Sequence, residues 1–237
     1  MIIIKNKFHI IEKDLASKII HGVYPKNTLL PSENTLCEMY GTSRETVRKA
    51  LALLVELGYI QKIQGKGSIV LDVSRFVLSV SGIQSFKELS ETADLDVRTK
   101  VLEIKKTVVP HDKFQIGDKN LEALHVKRLR IINGEPDIID NDYILTSVVP
   151  KIPASEAQNS LYNYFENKLH LDISYATKKI TVEEPDKEEQ TLLNLPDDKD
   201  VVVIRSETYL SDTSVFQFTE SIHRSDRFSF TDFARRQ

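Results

Sequence analysis

From Thr42 to Gly58 the chain reads Thr-Ser-Arg-Glu-Thr-Val-Arg-Lys-Ala-Leu-Ala-Leu-Leu-Val-Glu-Leu-Gly, and this stretch constrains the fold more than any other. Val47, Ala50, Leu51 and Leu54 recur at spacings of three and four, which puts them on one stripe of a helix. Arg44, Glu45, Arg48 and Lys49 then fall on the opposite arc. Thr42 and Glu45 have the spacing of a capping box, so the helix is expected to start there. Such a helix buries its back and presents a basic front.

The preceding residues supply something to pack against. Phe8, Ile11, Leu15 and Ile19 predict an amphipathic helix over about 8–21, ended by Gly22. A second, short helix is expected to begin at Ser32, whose hydroxyl suits an N-cap, with Glu33 in the first turn and Gly41 as the stop. After Gly58, the runs 59–63 and 68–71 read as strands joined through Gln64-Gly65-Lys66-Gly67. Three helices and a hairpin describe a winged helix, whose third helix enters a major groove while the wing meets backbone or minor groove. Arg44 and Arg48 are the expected base readers; Lys49, Thr46 and Lys66 are better placed for phosphates. Net charge over the whole chain is only −3, yet residues 1–70 carry ten Lys or Arg against six Asp or Glu, a net of +4, and the remainder carries −7. The positive end is the expected DNA-facing module. The competing reading is a solvated charged face on a small helical bundle.

Leu30-Pro31-Ser32-Glu33, the run from Tyr40-Gly41-Thr42-Ser43-Arg44-Glu45 to Ala50-Leu51, and Gly65-Lys66-Gly67-Ser68 resemble the signature of GntR-type bacterial regulators. The resemblance implies a homodimer on a pseudo-palindromic double-stranded operator, with Arg44 and Arg48 on bases. Ser32, Glu33, Ser43, Thr46 and Lys49, with the wing residues Gln64, Gly65, Lys66 and Gly67, complete the implied DNA-binding set. Asn27 stands where the family often has glycine; asparagine also tolerates left-handed backbone.

Periodicity lapses over 73–79, the expected linker between a DNA-binding domain over 1–72 and a larger domain over 80–237. In the larger domain a short helix is expected over 84–89 and strands over 101–108, 121–132 and 136–145, with Asn133-Gly134 as a two-residue hairpin. A helix over 160–169, a strand over 173–182, a helix capped by Asp186 and Glu189, and a last hairpin over 201–222 follow. This order predicts an α+β fold on a mostly antiparallel sheet.

Polar residues on these strands are the candidate ligand groups. Arg128 and Arg130 leave the same face of a strand, and such a pair suits a phosphate dianion. It equally suits pairing across the hairpin with Asp140 or Asp142. The helix start at Ser160, with Tyr162, adds hydroxyls. Glu220, expected on the same side as Phe216 and Phe218, reads either as an acceptor for sugar hydroxyls or as an edge-strand surface charge.

Phe86, Val126-Lys127-Arg128-Leu129-Arg130, Ser160-Leu161-Tyr162, Ser174-Tyr175 and the run from Phe218-Thr219-Glu220 to Arg224-Ser225-Asp226-Arg227-Phe228 resemble the effector domain of the HutC subfamily of these regulators. This implies a chorismate-lyase-like sheet whose cleft binds a sugar phosphate. By position, Lys87, Arg128, Ser160 and Tyr162 would hold phosphate, and Phe86, Arg130, Asp140, Glu220, Arg224 and Phe228 would line the sugar end. More narrowly, Ser85-Phe86-Lys87-Glu88-Leu89 and the closing run from Phe228 to Arg236 are similar to the trehalose-operon branch, which makes trehalose 6-phosphate the expected effector and repression the expected role.

Other classes are less well served. Apolar runs such as those at 1–4 and 201–204 are far too short to span a bilayer, so a cytoplasmic protein is expected. The lone Cys37 cannot form an internal disulfide, and no zinc-type spacing is present; neither a metal nor a cofactor is expected. A lyase-like second domain keeps an enzyme reading open, but there is no Gly-x-Ser-x-Gly, phosphate loop or His-Glu-x-x-His, and the six histidines are scattered. A non-specific nucleoid protein is the third reading.

Overall fold

The structure, a computed structural model, describes residues 7–71, 96–114, 116 and 120–230. The expected linker, the expected helix over 84–89, Phe86 and Lys87 lie outside these residues. The chain divides into two compact units, the first containing residues 7–71 and Phe230 and the second the described residues from 96 to 229.

The first unit is built from α1 (Lys7–Ile20), α2 (Glu33–Tyr40), α3 (Arg44–Glu56), β1 (Ile60–Ile63) and β2 (Gly67–Val70). Its core joins Ile11, Leu15 and Ile19 of α1, Leu36 of α2 and the whole predicted stripe of α3, Val47, Ala50, Leu51 and Leu54, closed by Ile60 and Val70 of the hairpin. Burying such side chains is worth roughly 1.5–3 kcal/mol each, so the three helices are held by tertiary packing more than by propensity. Ser32 caps α2 by accepting from the Thr35 amide, and Gly41 ends it in a left-handed conformation. Asn27 adopts φ 63, the backbone for which glycine is the usual residue.

The start of α3 differs from expectation. Ser43 is the N-cap and accepts from the Thr46 amide, so the Thr42–Glu45 capping box does not form. Both hydroxyl residues sit at the turn, and the one nearer the helix has the shorter reach to the third amide.

The second unit carries a six-stranded sheet, antiparallel throughout: β3 (Val97–Val108), β4 (Glu122–Ile132), β5 (Glu135–Leu145), β6 (Ile173–Glu183), β7 (Val201–Leu210) and β8 (Val215–Arg224), in the order β3-β4-β5-β8-β7-β6. Asn133 and Gly134 at φ 51 and 84 make the expected tight turn between β4 and β5. Short helical segments among the described residues accompany the sheet. The expected helix over 160–169 is shorter and less regular: α4 (Ala154–Asn159) precedes it, Ser160 caps the single turn α5 (Leu161–Asn163), and the chain continues as a π-helical turn over Tyr164–Lys168. The capping box of Asp186 and Glu189 forms as expected at the head of α6 (Lys187–Leu193).

Alternation along the strands gives the sheet two faces. On the first, Leu124, Val126 and Ile144 pack with Ala157, Leu161 and Phe165. On the second, Ala123, Tyr143 and Phe218 pack with Val109 and Phe114, while Leu129, Ile139 and Ile222 pack with Leu193 of α6.

The cap assignment is testable. Ser43→Ala is expected to cost about 1 kcal/mol in urea denaturation, and Thr42→Ala no more than about 0.5 kcal/mol. Equal losses at the two positions would restore the capping box.

Candidate functional site

In the first unit the predicted DNA-facing residues share one surface. Arg44, Arg48 and Lys49 are exposed on α3, and Gln64, Gly65, Lys66 and Gly67 are exposed at the hairpin tip. Gly65 and Gly67 take φ 75 and 109, values that side-chain-bearing residues rarely adopt. The hydroxyls of Ser32 and Ser43 are occupied in capping. Arg48 Nε donates to Glu33 Oε2 at 2.9 Å, and Lys62 Nζ donates to Glu33 Oε1 at 3.3 Å. Arg44 donates to the Asn34 side-chain oxygen, and Lys49 pairs with Glu45 at 3.1 Å. Glu33 is held below the usual carboxylate range chiefly by the hydrogen bond from Arg48. Asn34 and Lys62 are additions to the set expected from the sequence. Alternation along 59–63 gives Lys62 no sequence signal, since it falls on the side of the buried Ile60, yet it is exposed and its ammonium meets Glu33.

In the second unit the first face of the sheet runs from its apolar cluster into a cluster of buried polar side chains. Arg128, Arg130, Asp140 and Asp142 all lie there, each less than a tenth exposed. Arg128 Nη2 donates to Asp142 Oδ2 at 2.6 Å, and Arg130 Nε donates to Asp140 Oδ2 at 2.8 Å. Of the two readings of this arginine pair, the cross-hairpin pairing is therefore formed. Asp142 Oδ1 also accepts from Gln217 Nε2 at 2.8 Å and Thr219 Oγ1 at 3.0 Å, and Asp140 Oδ1 accepts from Ser221 at 2.6 Å. Burial pushes the Asp140 carboxyl up, but the charges of Arg130 and Arg128 outweigh it and bring it to about 2. Burial lowers Arg130, with Arg128 beside it adding to the effect.

Ser160 and Tyr162 lie beside the same polar cluster. Arg128 Nη1 lies 3.4 Å from the Ala157 carbonyl, just before Ser160, and the Tyr162 hydroxyl lies 3.5 Å from that of Thr208. Burial pushes Tyr162 up to about 12. Phe228 packs edge-on against His223, whose imidazole burial holds at about 4. Two buried polar atoms of this cluster have no hydrogen-bond partner among the described residues: Arg128 Nε, a donor, and Gln217 Oε1, an acceptor. An unmatched buried group costs about 1–3 kcal/mol, and a ligand that supplies both partners recovers it.

Two predicted members of the sugar end are elsewhere. Glu220 lies on β8 between β5 and β7, in the middle of the sheet, and points to the second face. There it accepts from Lys113 Nζ at 2.6 Å and Arg205 Nε at 2.8 Å. It is neither an edge charge nor a neighbour of Arg128. A bulge between β7 and β8 also separates it from Phe216, which packs on Phe165 of the first face, whereas Phe218 packs on Phe114 of the second. Arg224 donates to the Leu193 carbonyl at the end of α6 and pairs with Asp226, a structural role on the second face. Gln217, Thr219, Ser221 and His223 occupy the cleft positions instead. Strand alternation implies them once the register is known, but a one-residue bulge is invisible in the pattern. The second face also has a cavity of about 470 Å³ lined by residues including Lys105, Lys113, His125, Lys127, Tyr143 and Glu188. Lys105, Lys113 and Lys127 are already paired, with Glu103, Glu220 and Glu188.

Comparison with known proteins agrees with both halves. The family model for bacterial regulatory proteins of the gntR family matches residues 9–70, and that for the UTRA domain matches 92–229. The chain is 44% identical over 236 residues to the HTH-type transcriptional regulator TreR of Bacillus subtilis, covering 98% of each. Among solved structures, YydK of B. subtilis, described as a possible transcriptional regulator, superposes with a TM-score of 0.80 at 23% identity, covering 96% of this chain and 100% of that one. The effector-binding domain of the B. subtilis trehalose repressor superposes with a TM-score of 0.53 at 38% identity, covering 59% of this chain and 99% of that one. These relatives are named as regulators, not enzymes.

Two consequences for the cleft follow. Asp142→Ala removes the nearest counter-ion of the buried Arg128 and leaves only the longer contact to Asp140 at 3.6 Å, and chemical denaturation is expected to show a loss of roughly 3 kcal/mol; a loss under 1 kcal/mol would mean the pair is solvated. His223 titrates at about 4 in the folded chain against 6.5 unfolded, so the unfolded state takes up a proton first as pH falls. Its contribution is complete above 6.5 and is lost on the way down to about 4. Between pH 7 and 5 that amounts to a loss on the order of 2 kcal/mol. His223→Asn should flatten the pH dependence by about this amount, and an unchanged slope would count against a buried neutral imidazole.

Proposed function

Since the chain belongs to the GntR family of bacterial regulatory proteins and carries a UTRA domain of the HutC type, we propose that it represses a trehalose-utilisation operon as a homodimer and leaves its operator when trehalose 6-phosphate fills the cleft. That it is a DNA-binding transcriptional repressor follows from the family; the dimer, the effector and the mode of release are our reading. The observation that carries the effector assignment is the pair of unmatched buried atoms, Arg128 Nε and Gln217 Oε1. A phosphate oxygen answers the first and a sugar hydroxyl the second. The likeness to a relative named for trehalose repression supports the choice of sugar.

At the operator, Arg44 and Arg48 read bases while Thr46, Lys49 and Lys66 meet phosphates. In the cleft, Arg128, Ser160 and Tyr162 hold phosphate, and Arg130, Asp140 and Phe228 border the sugar. Asp140 and Asp142 already neutralise the arginines, so the ligand's anion competes with carboxylates that are in place. That competition makes a phosphate dianion with additional hydroxyl contacts a better ligand than phosphate alone. Release requires only that the sugar phosphate bind the non-gripping arrangement more tightly than the gripping one.

Footprinting with the full chain is expected to reveal one discrete palindrome whose protection disappears with trehalose 6-phosphate and persists with trehalose. Arg48→Ala should abolish protection while calorimetry still shows sugar-phosphate binding, and Arg128→Ala should do the reverse. No discrete palindrome would defeat the operator reading, and protection unmoved by the sugar phosphate would defeat the effector.

A further inference from the structure

A carboxylate on a DNA-facing surface needs an explanation, because a duplex carries one negative charge per roughly 1.7 Å of axis. Glu33 stands at the first position of α2 with its side chain 26% exposed. Its two oxygens are divided between α3 and the wing, Oε2 accepting from Arg48 and Oε1 from Lys62. Next to it, Asn34 holds Arg44. Both arginines of α3 are thus tethered to the first turn of α2. Among the described residues Arg48 is engaged through Nε alone, which leaves its Nη1 and Nη2 edge as a free two-donor fork. That fork has the geometry to match guanine O6 and N7.

We propose that Glu33 is a specificity-determining positioning residue, clasping Arg48 and Lys62 so that the Arg48 fork is presented to base edges and both cations are withheld from the phosphates of arbitrary DNA. This rests on the operator-binding reading of the same surface. Exposed ion pairs contribute little to stability, so the clasp does not act by holding the fold together. It acts by setting where two cations point. Held at Nε, the fork of Arg48 points one way, so a base edge lying in that direction is met without leaving Glu33, whereas phosphates lying off it are reached only by giving up the clasp, and the carboxylate thereby penalises the non-specific complex more than the specific one. The hydrogen bond from Arg48 and that from Lys62 both hold Glu33 below its ordinary range, which keeps it ionised at neutral pH.

The test uses the full chain and fluorescence anisotropy over a range of salt. Two duplexes are compared: the palindrome defined by footprinting, and a shuffled duplex of the same length and composition. For Glu33→Gln, the shuffled duplex is expected to bind more tightly, with a salt slope steeper by about 0.9 for each additional phosphate neutralised. The ratio of palindrome to shuffled affinity is expected to fall about tenfold, within the range for one bidentate base contact. Glu33→Asp keeps the charge but is one methylene too short to bridge both partners. It should lower the ratio without tightening the shuffled duplex. Circular dichroism and the thermal midpoint verify folding, since Ser32 and not Glu33 supplies the cap of α2. A parent-like ratio in both variants, or equal weakening on both duplexes at unchanged slope, overturns the clasp while leaving the repressor reading intact. A parent that does not distinguish the two duplexes overturns both.

Discussion

The cleft depends on one cost: the two guanidinium groups on β4 are buried in a sheet and must be matched where they stand. Removing a charge from water costs several kcal/mol after relaxation, recovered only by close partners with good geometry. Register alone provides those partners. Arg128 pairs with Asp140 across the β4–β5 ladder, and each arginine then reaches the carboxylate that alternation puts on its own face. β8 completes the arrangement, because Gln217, Thr219 and Ser221 occupy the oxygens the arginines leave open. A shift of one residue in β4 or β5 would turn that strand's charges to the opposite face and leave those of its neighbour without counter-ions. The charge pairs therefore fix the sheet register as much as the apolar clusters do.

The reading surface of the first unit uses the same pairing chemistry under other conditions. Arg48 and Lys62 are well exposed, so their bonds to Glu33 operate in a high dielectric and under salt screening. In the cleft a carboxylate makes burial of the cation tolerable; at the surface it only biases direction. The first kind of pair is structural and resists exchange, while the second is weak enough to rearrange when phosphates approach.

The legibility of the sequence divides along the same physical line. The apolar stripe of α3, the stop at Gly41, the Asn133-Gly134 turn and the Asp186 capping box are all readable, because each is a local demand met by local residues. The cap of α3 falls one residue away from its expected place because two adjacent hydroxyls satisfy the same rule. Glu220 falls on the other face because the β5–β8 register pairs it with Asn141 and turns it away from Asp140 and Asp142, while the bulge between β7 and β8 takes Phe216 off its side. Resemblance points to the right strand, but geometry assigns the cleft to Gln217, Thr219, Ser221 and His223. Phe86 and Lys87 lie outside the described residues and stay expectations.

The unmatched atoms of the cleft also bound what a ligand can do. Arg128 Nε and Gln217 Oε1 each leave about 1–3 kcal/mol to be recovered on pairing, so a ligand satisfying both has roughly 2–6 kcal/mol available from these contacts. Moving a two-state equilibrium from 1:99 to 99:1 takes about 5.5 kcal/mol of differential affinity. The two figures are comparable, but only the part of the pairing energy that differs between the gripping and released arrangements counts toward release. A sugar phosphate that paired both atoms equally well in either arrangement would bind tightly and leave the operator occupied. The cleft can serve as a switch only if one of these two atoms, or a contact it positions, is better matched in the arrangement that lets go of DNA.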